Sequence, residues 1–177
     1  MKNQYLFMYP YKSYFDNEMN DKSSFFRKGH SVQHLFDIIN KRYREQGFDI
    51  NWLFLSKEDD IKLPDMRSVP NYVDIREEDK ILVAGVTAET LKKDDYPNGL
   101  YILNQLPPHI KLYVGGFHSN DCVYRLSKVS HNLGVYTFID DDTTNLFFST
   151  HSRKPIPLIR TDWSLRTRYG DDIQIDV

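Results

Sequence analysis

Cys122 is the only cysteine among the 177 residues, and its place in a strand-turn-helix pattern suits it to covalent chemistry. Residues 111–114 are apolar and β-rich, Gly115 and Gly116 follow, and apolar residues recur at helical spacing from Cys122 onward. In open α/β sheets, ligands bind at such a turn. Free amide groups there favour a thiolate and stabilise an oxyanion. The pattern predicts a nucleophile that attacks a carbonyl, and the alternative is a small buried apolar residue.

The loop after the first predicted strand, residues 12–29, should open on the same crevice as Cys122. Lys12, Tyr14 and Asp16 are therefore candidates to reach the sulfur, although solvated loop residues are the simpler identity for each. In the catalytic hypothesis, His118 or Asp16 acts as the base and Lys12 holds charge. The residues expected to contact the substrate are Gly116, Phe117, Ser119, Asn120 and Tyr14.

Apolar strands alternate with amphipathic helices along the chain, which predicts an α/β domain with parallel strands and right-handed crossovers. We expect one domain over residues 1–177, with 143–177 as a C-terminal extension or tail. The predicted strands are 5–9, 50–55, 81–86, 111–114 and 135–139, and the predicted helices begin near residues 30, 97 and 122, with a short one at 162–169.

Two groups of potential metal ligands have simpler explanations. His30 and His34 lie four residues apart at the start of a helix, but no third ligand stands near them in sequence. Residues 140–142 are three aspartates at the end of a predicted strand, where capping and solvation are the favoured roles. The sequence therefore predicts neither a metal nor another cofactor.

Composition limits the classes of function. Apolar residues make up 40% of the chain and the net charge is −2, which argues against disorder and against binding to nucleic acid or an anionic membrane. A single cysteine, no apparent signal peptide and no membrane-spanning run predict a reducing, cytoplasmic setting. The aromatic and basic tail is compatible with docking on its own domain or, in a homo-oligomer, on a second subunit.

The segment GFHSNDCVYRLSKVSHNLGVYTFIDDD resembles the cysteine segment of the isochorismatase-like hydrolases, which include the nicotinamidases. That pattern runs from a strand through Gly, Thr-Asp-x-Cys-Val, a helix and a Gly to a strand that ends in Asp. The matching positions here are Gly116, Ser119, Cys122, Val123, Gly134 and Asp140, and Asn120 replaces the Asp of the motif.

The resemblance implies an open, doubly wound, mostly parallel sheet of five or six strands with helices on both faces, a Rossmann-like three-layer arrangement. It implies a cysteine hydrolase that acts on a small amide, ester or related carbonyl compound, with Cys122 as nucleophile and the backbone N–H groups of His118 and Cys122 as oxyanion hole. The family's general-base aspartate falls at Tyr9-Pro10 and its lysine at residues 83–85, which carry neither residue type. The alternative is an inactive protein of the same fold that binds a small ligand or serves in assembly.

Overall fold

The computed structural model describes residues 1–11, 14–15, 32–55, 75–86, 96–117, 119–145, 164–168 and 171–173. Its strands are β1 (Lys2–Met8), β2 (Asp49–Phe54), β3 (Lys80–Val83), β4 (Ile110–Phe117), β5 (Tyr136–Asn145), β6 (Ser164–Arg168) and β7 (Asp171–Ile173). Within these residues they form one sheet in the order β3-β2-β1-β4-β5-β6-β7. All neighbours pair in parallel except β6 and β7. The predicted mostly parallel α/β sheet is confirmed, and β7 adds an antiparallel edge strand.

The helices begin and end close to where apolar periodicity places them. They are α1 (Val32–Ile38), which continues as a π-helical turn (Ile39–Tyr43) and a 3-10 turn (Arg44–Gln46), α2 (Gly99–Leu103), and α3 (Tyr124–Asn132), which follows a π-helical turn (Ser119–Val123). Gly47 and Gly134 end α1 and α3 with positive φ angles of 76° and 77°. In the described part of the chain, no helix is long and apolar enough to span a bilayer.

The predicted helix at 162–169 is wrong, because residues Ser164–Arg168 form β6. This segment pairs with β5 from Thr137 to Asp140, so an available strand edge overrides its weak local helical pattern. The stretch from residue 143 onward therefore contributes the end of β5 and two further strands to the sheet.

Successive side chains of β1 point to opposite faces of the sheet, and each face is covered by helices. On one face, Tyr5 stacks on Tyr43 beyond α1, with ring centroids 4.0 Å apart. On the other face, Met8 borders a cavity whose wall includes Ile102 of α2 and Leu126 of α3. The central strand is thus fixed from both sides, and its carboxyl end is held beside that of β4.

Two glycines let β4 approach its neighbours closely. A Cβ on Gly116, whose φ is 113°, would lie 2.2 Å from the Met8 carbonyl oxygen of β1. A Cβ on Gly115 would lie 2.4 Å from Thr143 Oγ1, where β5 bulges so that residues 140–143 face Gly115 alone. Gly115 and Gly116 together bring the start of the turn that follows β4 against the end of β1.

Asp140 and Asp142, at the predicted end of the fifth strand, are not solvated as expected, although Asp140 Oδ1 does accept a hydrogen bond from the Asp142 amide at 3.0 Å. Asp140 is fully buried and Asp142 is 2% exposed, and Arg42 forms salt bridges to both at 2.7 Å and 2.9 Å. The Tyr43 hydroxyl also donates to Asp140. A cation from the turn after α1 therefore neutralises charges that would otherwise be costly to bury.

Candidate functional site

Cys122 lies in the turn between β4 and α3, at the carboxyl ends of the central strands. The residue is 6% exposed and borders a cavity of about 40 Å³. The end of β1, residues 96–97, α2 and α3 supply the walls, which are mainly apolar. The sulfur is therefore buried but has free space beside it, as the crevice hypothesis requires.

The expected lowering of the Cys122 pKa is wrong for the surroundings that the structure describes. Burial of the thiol, and then the nearby charge of Asp121, raise its pKa from 9.0 to about 12. Tyr9 and Arg125 favour the thiolate but do not offset these two effects. Desolvation thus outweighs the amide groups of the turn and disfavours the thiolate in these surroundings.

An acidic and a basic side chain that the sequence analysis did not single out lie next to the sulfur. Asp121 Oδ2 is 4.0 Å from Cys122 Sγ, and Arg125 Nε is 3.1 Å from Asp121 Oδ1. The Arg125 guanidinium also lies 3.7 Å from the ring centroid of Tyr96. The four-residue spacing of Asp121 and Arg125 on a predicted helix was the available signal. The two charges compensate each other at the rim of the cavity.

Tyr9 occupies the end of β1, directly beside Cys122. Its φ of 61° is unusual for a residue with a Cβ, and its side chain is 1% exposed. Tyr9 Oη makes no hydrogen bond of ordinary geometry in the described structure, although its proximity to the sulfur affects the pKa of both groups. The position that the family resemblance assigns to a carboxylate thus holds a buried phenol.

The position expected for a lysine, at the end of β3, carries no cation. Ala84 is 2% exposed, and its amide donates to the Phe54 carbonyl at 2.7 Å. Gly85 has a φ of 78°, and the Tyr101 ring lies 3.1 Å from where its Cβ would be. The aromatic ring of α2 therefore covers the backbone here.

The remaining predicted site residues divide into two groups. Lys12, Asp16 and His118 lie outside the described residues, as do the side chains of Ser119 and Asn120. Gly116, Phe117 and Tyr14 are described, and none of them lines the cavity beside Cys122. The rings of Phe117 and Tyr14 lie 5.5 Å apart, and Phe117 also packs against Phe7 at 6.0 Å. These two residues belong to the aromatic packing around β1.

Comparisons by sequence find no matching protein family and no matching curated protein. The fold is similar to that of an isochorismatase family protein, with a TM-score of 0.54 and 13% identity over 94% of this chain and 98% of that one. It is also similar to the pyrazinamidase of Pyrococcus horikoshii in complex with zinc, with a TM-score of 0.50 and 13% identity over 81% of this chain and 86% of that one. The chain therefore has an isochorismatase-like fold.

Proposed function

We propose that this isochorismatase-like protein binds a small molecule in the crevice beside Cys122 and does not hydrolyse it through a cysteine intermediate. The observation that carries the proposal is the contact between Tyr9 and Cys122 at the ends of β1 and β4. A thiol needs a base or a nearby cation to become a nucleophile. Burial raises the pKa of Tyr9 well above 10.0, so its neutral phenol is a poor acceptor for the thiol proton.

The chemistry around the sulfur supports binding over catalysis. With a pKa of about 12, only about one Cys122 thiol in 10⁵ is ionised at pH 7. Ala84, at the place of the expected lysine, offers no cation to change this. A neutral thiol in an apolar cavity behaves as a small apolar wall group, and the crevice that remains suits an uncharged ligand.

A cysteine hydrolase is the second candidate, and the position of Asp121 favours it. Asp121 Oδ2 lies 4.0 Å from the sulfur and is oriented by Arg125, so it is the described group best placed to accept the thiol proton. The thiolate would then attack the carbonyl carbon of a small amide or ester, the protonated leaving group would depart, and water would hydrolyse the thioester. The sequence prediction offers His118 or Asp16 as the base in place of Asp121, with Lys12 holding charge.

The pyrazinamidase similar in fold was solved with zinc. Among the residues that our structure describes, no three His, Cys, Asp or Glu side chains come close enough together to hold a metal ion. Neither candidate therefore includes a step through a metal.

A paired screen for binding and turnover tests the proposal. Wild-type protein, Cys122→Ala and the control Ser127→Ala, a small buried change in α3 outside the cavity, are melted with a set of small neutral metabolites. At about one hundred times its Kd, a ligand stabilises by about 2.7 kcal/mol, a rise in Tm of about 5–10 °C for a domain of this size. We expect such compounds to stabilise all three proteins and to be recovered unchanged.

Two results would overturn this proposal. Turnover of a compound by wild type and Ser127→Ala, but not by Cys122→Ala, would establish the hydrolase instead. If no compound stabilised any of the proteins, neither the binding function nor the hydrolase would have support.

A further inference from the structure

In the part of the chain that the structure describes, the Tyr9 hydroxyl is a buried donor with no partner stronger than a thiol. The side chain is 1% exposed, it borders the cavity with Cys122, and its Oη makes no ordinary hydrogen bond in the described structure. Its polar neighbour is the Cys122 sulfur, which is a weak acceptor. Buried hydroxyls in native proteins nearly always have a stronger partner, so this one calls for an acceptor that enters the cavity.

The backbone holds this hydroxyl in place. Tyr9 keeps a φ of 61°, a conformation that side chains with a Cβ rarely adopt. Its amide donates to the Leu53 carbonyl at 2.8 Å, and its carbonyl accepts from the Tyr11 amide at 2.7 Å. These bonds on both sides of the residue fix the backbone from which its side chain projects, and a recognition group requires such a rigid support.

The other walls of the cavity define the charge of its occupant. Arg125 pairs with Asp121 at 3.1 Å and lies over the Tyr96 ring, so the two opposite charges largely offset each other at the rim of the cavity. Most of the remaining wall is apolar and includes Met8 and Leu126. An ionised group in this space would lose its hydration without gaining a partner.

We infer that Tyr9 is the specificity residue of this crevice, an inference that rests on the proposed function. Its hydroxyl donates a hydrogen bond to the carbonyl oxygen of a small neutral carbonyl compound. The cavity of about 40 Å³ exceeds the roughly 10–15 Å³ that a single water molecule needs on the same measure, so it has room for a small polar group but not for a whole metabolite. It therefore receives the carbonyl end of the ligand, next to the Cys122 sulfur. The rest of the ligand extends toward the rim formed by Arg125 and Tyr96.

Three alkylating probes of Cys122 test this inference directly. Each transfers a carbon to Sγ and releases iodide, and the thiol proton goes to solvent. Iodoacetamide is neutral and carries a carbonyl, 1-iodopropane is neutral without an acceptor, and iodoacetate is charged. Rates for the folded protein are divided by those for N-acetylcysteine at the same pH, which removes differences in intrinsic reactivity.

We expect wild type to prefer iodoacetamide over 1-iodopropane, and iodoacetate to be slowest. In Tyr9→Phe, the ratio of the iodoacetamide rate to the 1-iodopropane rate should fall by about three- to tenfold, which is the usual effect of one neutral hydrogen bond. The 1-iodopropane rate itself should stay unchanged. The matched control Tyr136→Phe removes a hydroxyl from a side chain that is 62% exposed and does not line the cavity, so it should behave as wild type.

An unchanged preference in Tyr9→Phe would overturn the role of Tyr9 while leaving ligand binding in place. If iodoacetate were preferred, the neutral class of ligand would be wrong. If no probe modified Cys122 in the folded protein even over times that allow for the expected slowing of about 10³-fold, but all did so in urea, the crevice would be closed. The proposed function would then fall with the inference. If Tyr9→Phe does not fold, the normalised alkylation rates of the three probes on wild type test the inference instead. Equal rates for iodoacetamide and 1-iodopropane would exclude recognition of the carbonyl.

Discussion

Arg42 Nη1 lies 2.7 Å and 2.8 Å from the two carboxylate oxygens of Asp140, a residue 98 positions further along the chain. This contact joins the turn after α1 to the bulge of β5, and Asp140 is fully buried. The same bulge faces Gly115 of β4, the strand that leads to Cys122. The ion pair thus helps to hold the strand ends around the candidate site.

Replacing Arg42 by methionine should destabilise the protein by about 3–5 kcal/mol, because it leaves the buried Asp140 charge without its partner. Urea unfolding at pH 7 measures the loss. Lys41→Met is the matched control: Lys41 is exposed, so its replacement should change the free energy of unfolding by less than about 0.5 kcal/mol. If the two substitutions changed the free energy of unfolding equally, the Arg42–Asp140 ion pair would contribute nothing specific to stability.

The pH dependence of stability should report on Asp140. Burial raises its pKa above the ordinary value, and Arg42 partly opposes that effect. A raised pKa means that the folded state binds more protons than the unfolded state between the two pKa values, so this contribution to stability is lost as the pH rises through that window. Removing Arg42 widens the window. The cost of Arg42→Met should therefore shrink from pH 7 toward pH 4, and a cost that grows on acidification would contradict this assignment.

Cys122 should react slowly with iodoacetamide. With its pKa raised from 9.0 to about 12, the thiolate population near pH 8 is about 10³-fold smaller than for an unperturbed thiol. Mass spectrometry of the alkylated protein over time gives the rate, and urea-unfolded protein is the control. A folded-state rate equal to that of a free thiol would contradict the raised pKa, and a faster rate would point to an activated nucleophile and to the hydrolase candidate.

Gly116 and Gly47 provide a matched pair of glycine-to-alanine substitutions. Both have positive φ angles, but a Cβ on Gly47 meets nothing within 4 Å, whereas one on Gly116 would lie 2.2 Å from Met8 O. Gly47→Ala should cost about 1 kcal/mol for the left-handed backbone alone. Gly116→Ala should cost more than about 3 kcal/mol or prevent folding, because β1 and β4 must separate. Similar unfolding midpoints for the two variants would contradict the close approach of these strands.

Several elements could be predicted from sequence because their signals are local. The buried face formed by α1 and the π-helical turn that continues it, including Leu35, Ile39 and Tyr43, follows from helical spacing. The positive φ of Gly47 follows from the need to end a helix. The parallel sheet follows from alternating strands and helices. The strand at Ser164–Arg168 could not be predicted, since its pairing with β5 is a long-range contact.

Within the candidate site, the sequence by itself determined that one cysteine follows a glycine-rich strand end, because residue types and spacing are local properties of the chain. Only the tertiary structure decided the state of that thiol. The pKa of Cys122 depends on how deeply the folded chain buries it and on which groups surround it, here Tyr9 from β1 and Asp121 from its own turn. Desolvation is a property of the packed protein, and for this reason the sequence predicted the place of the sulfur and not its reactivity.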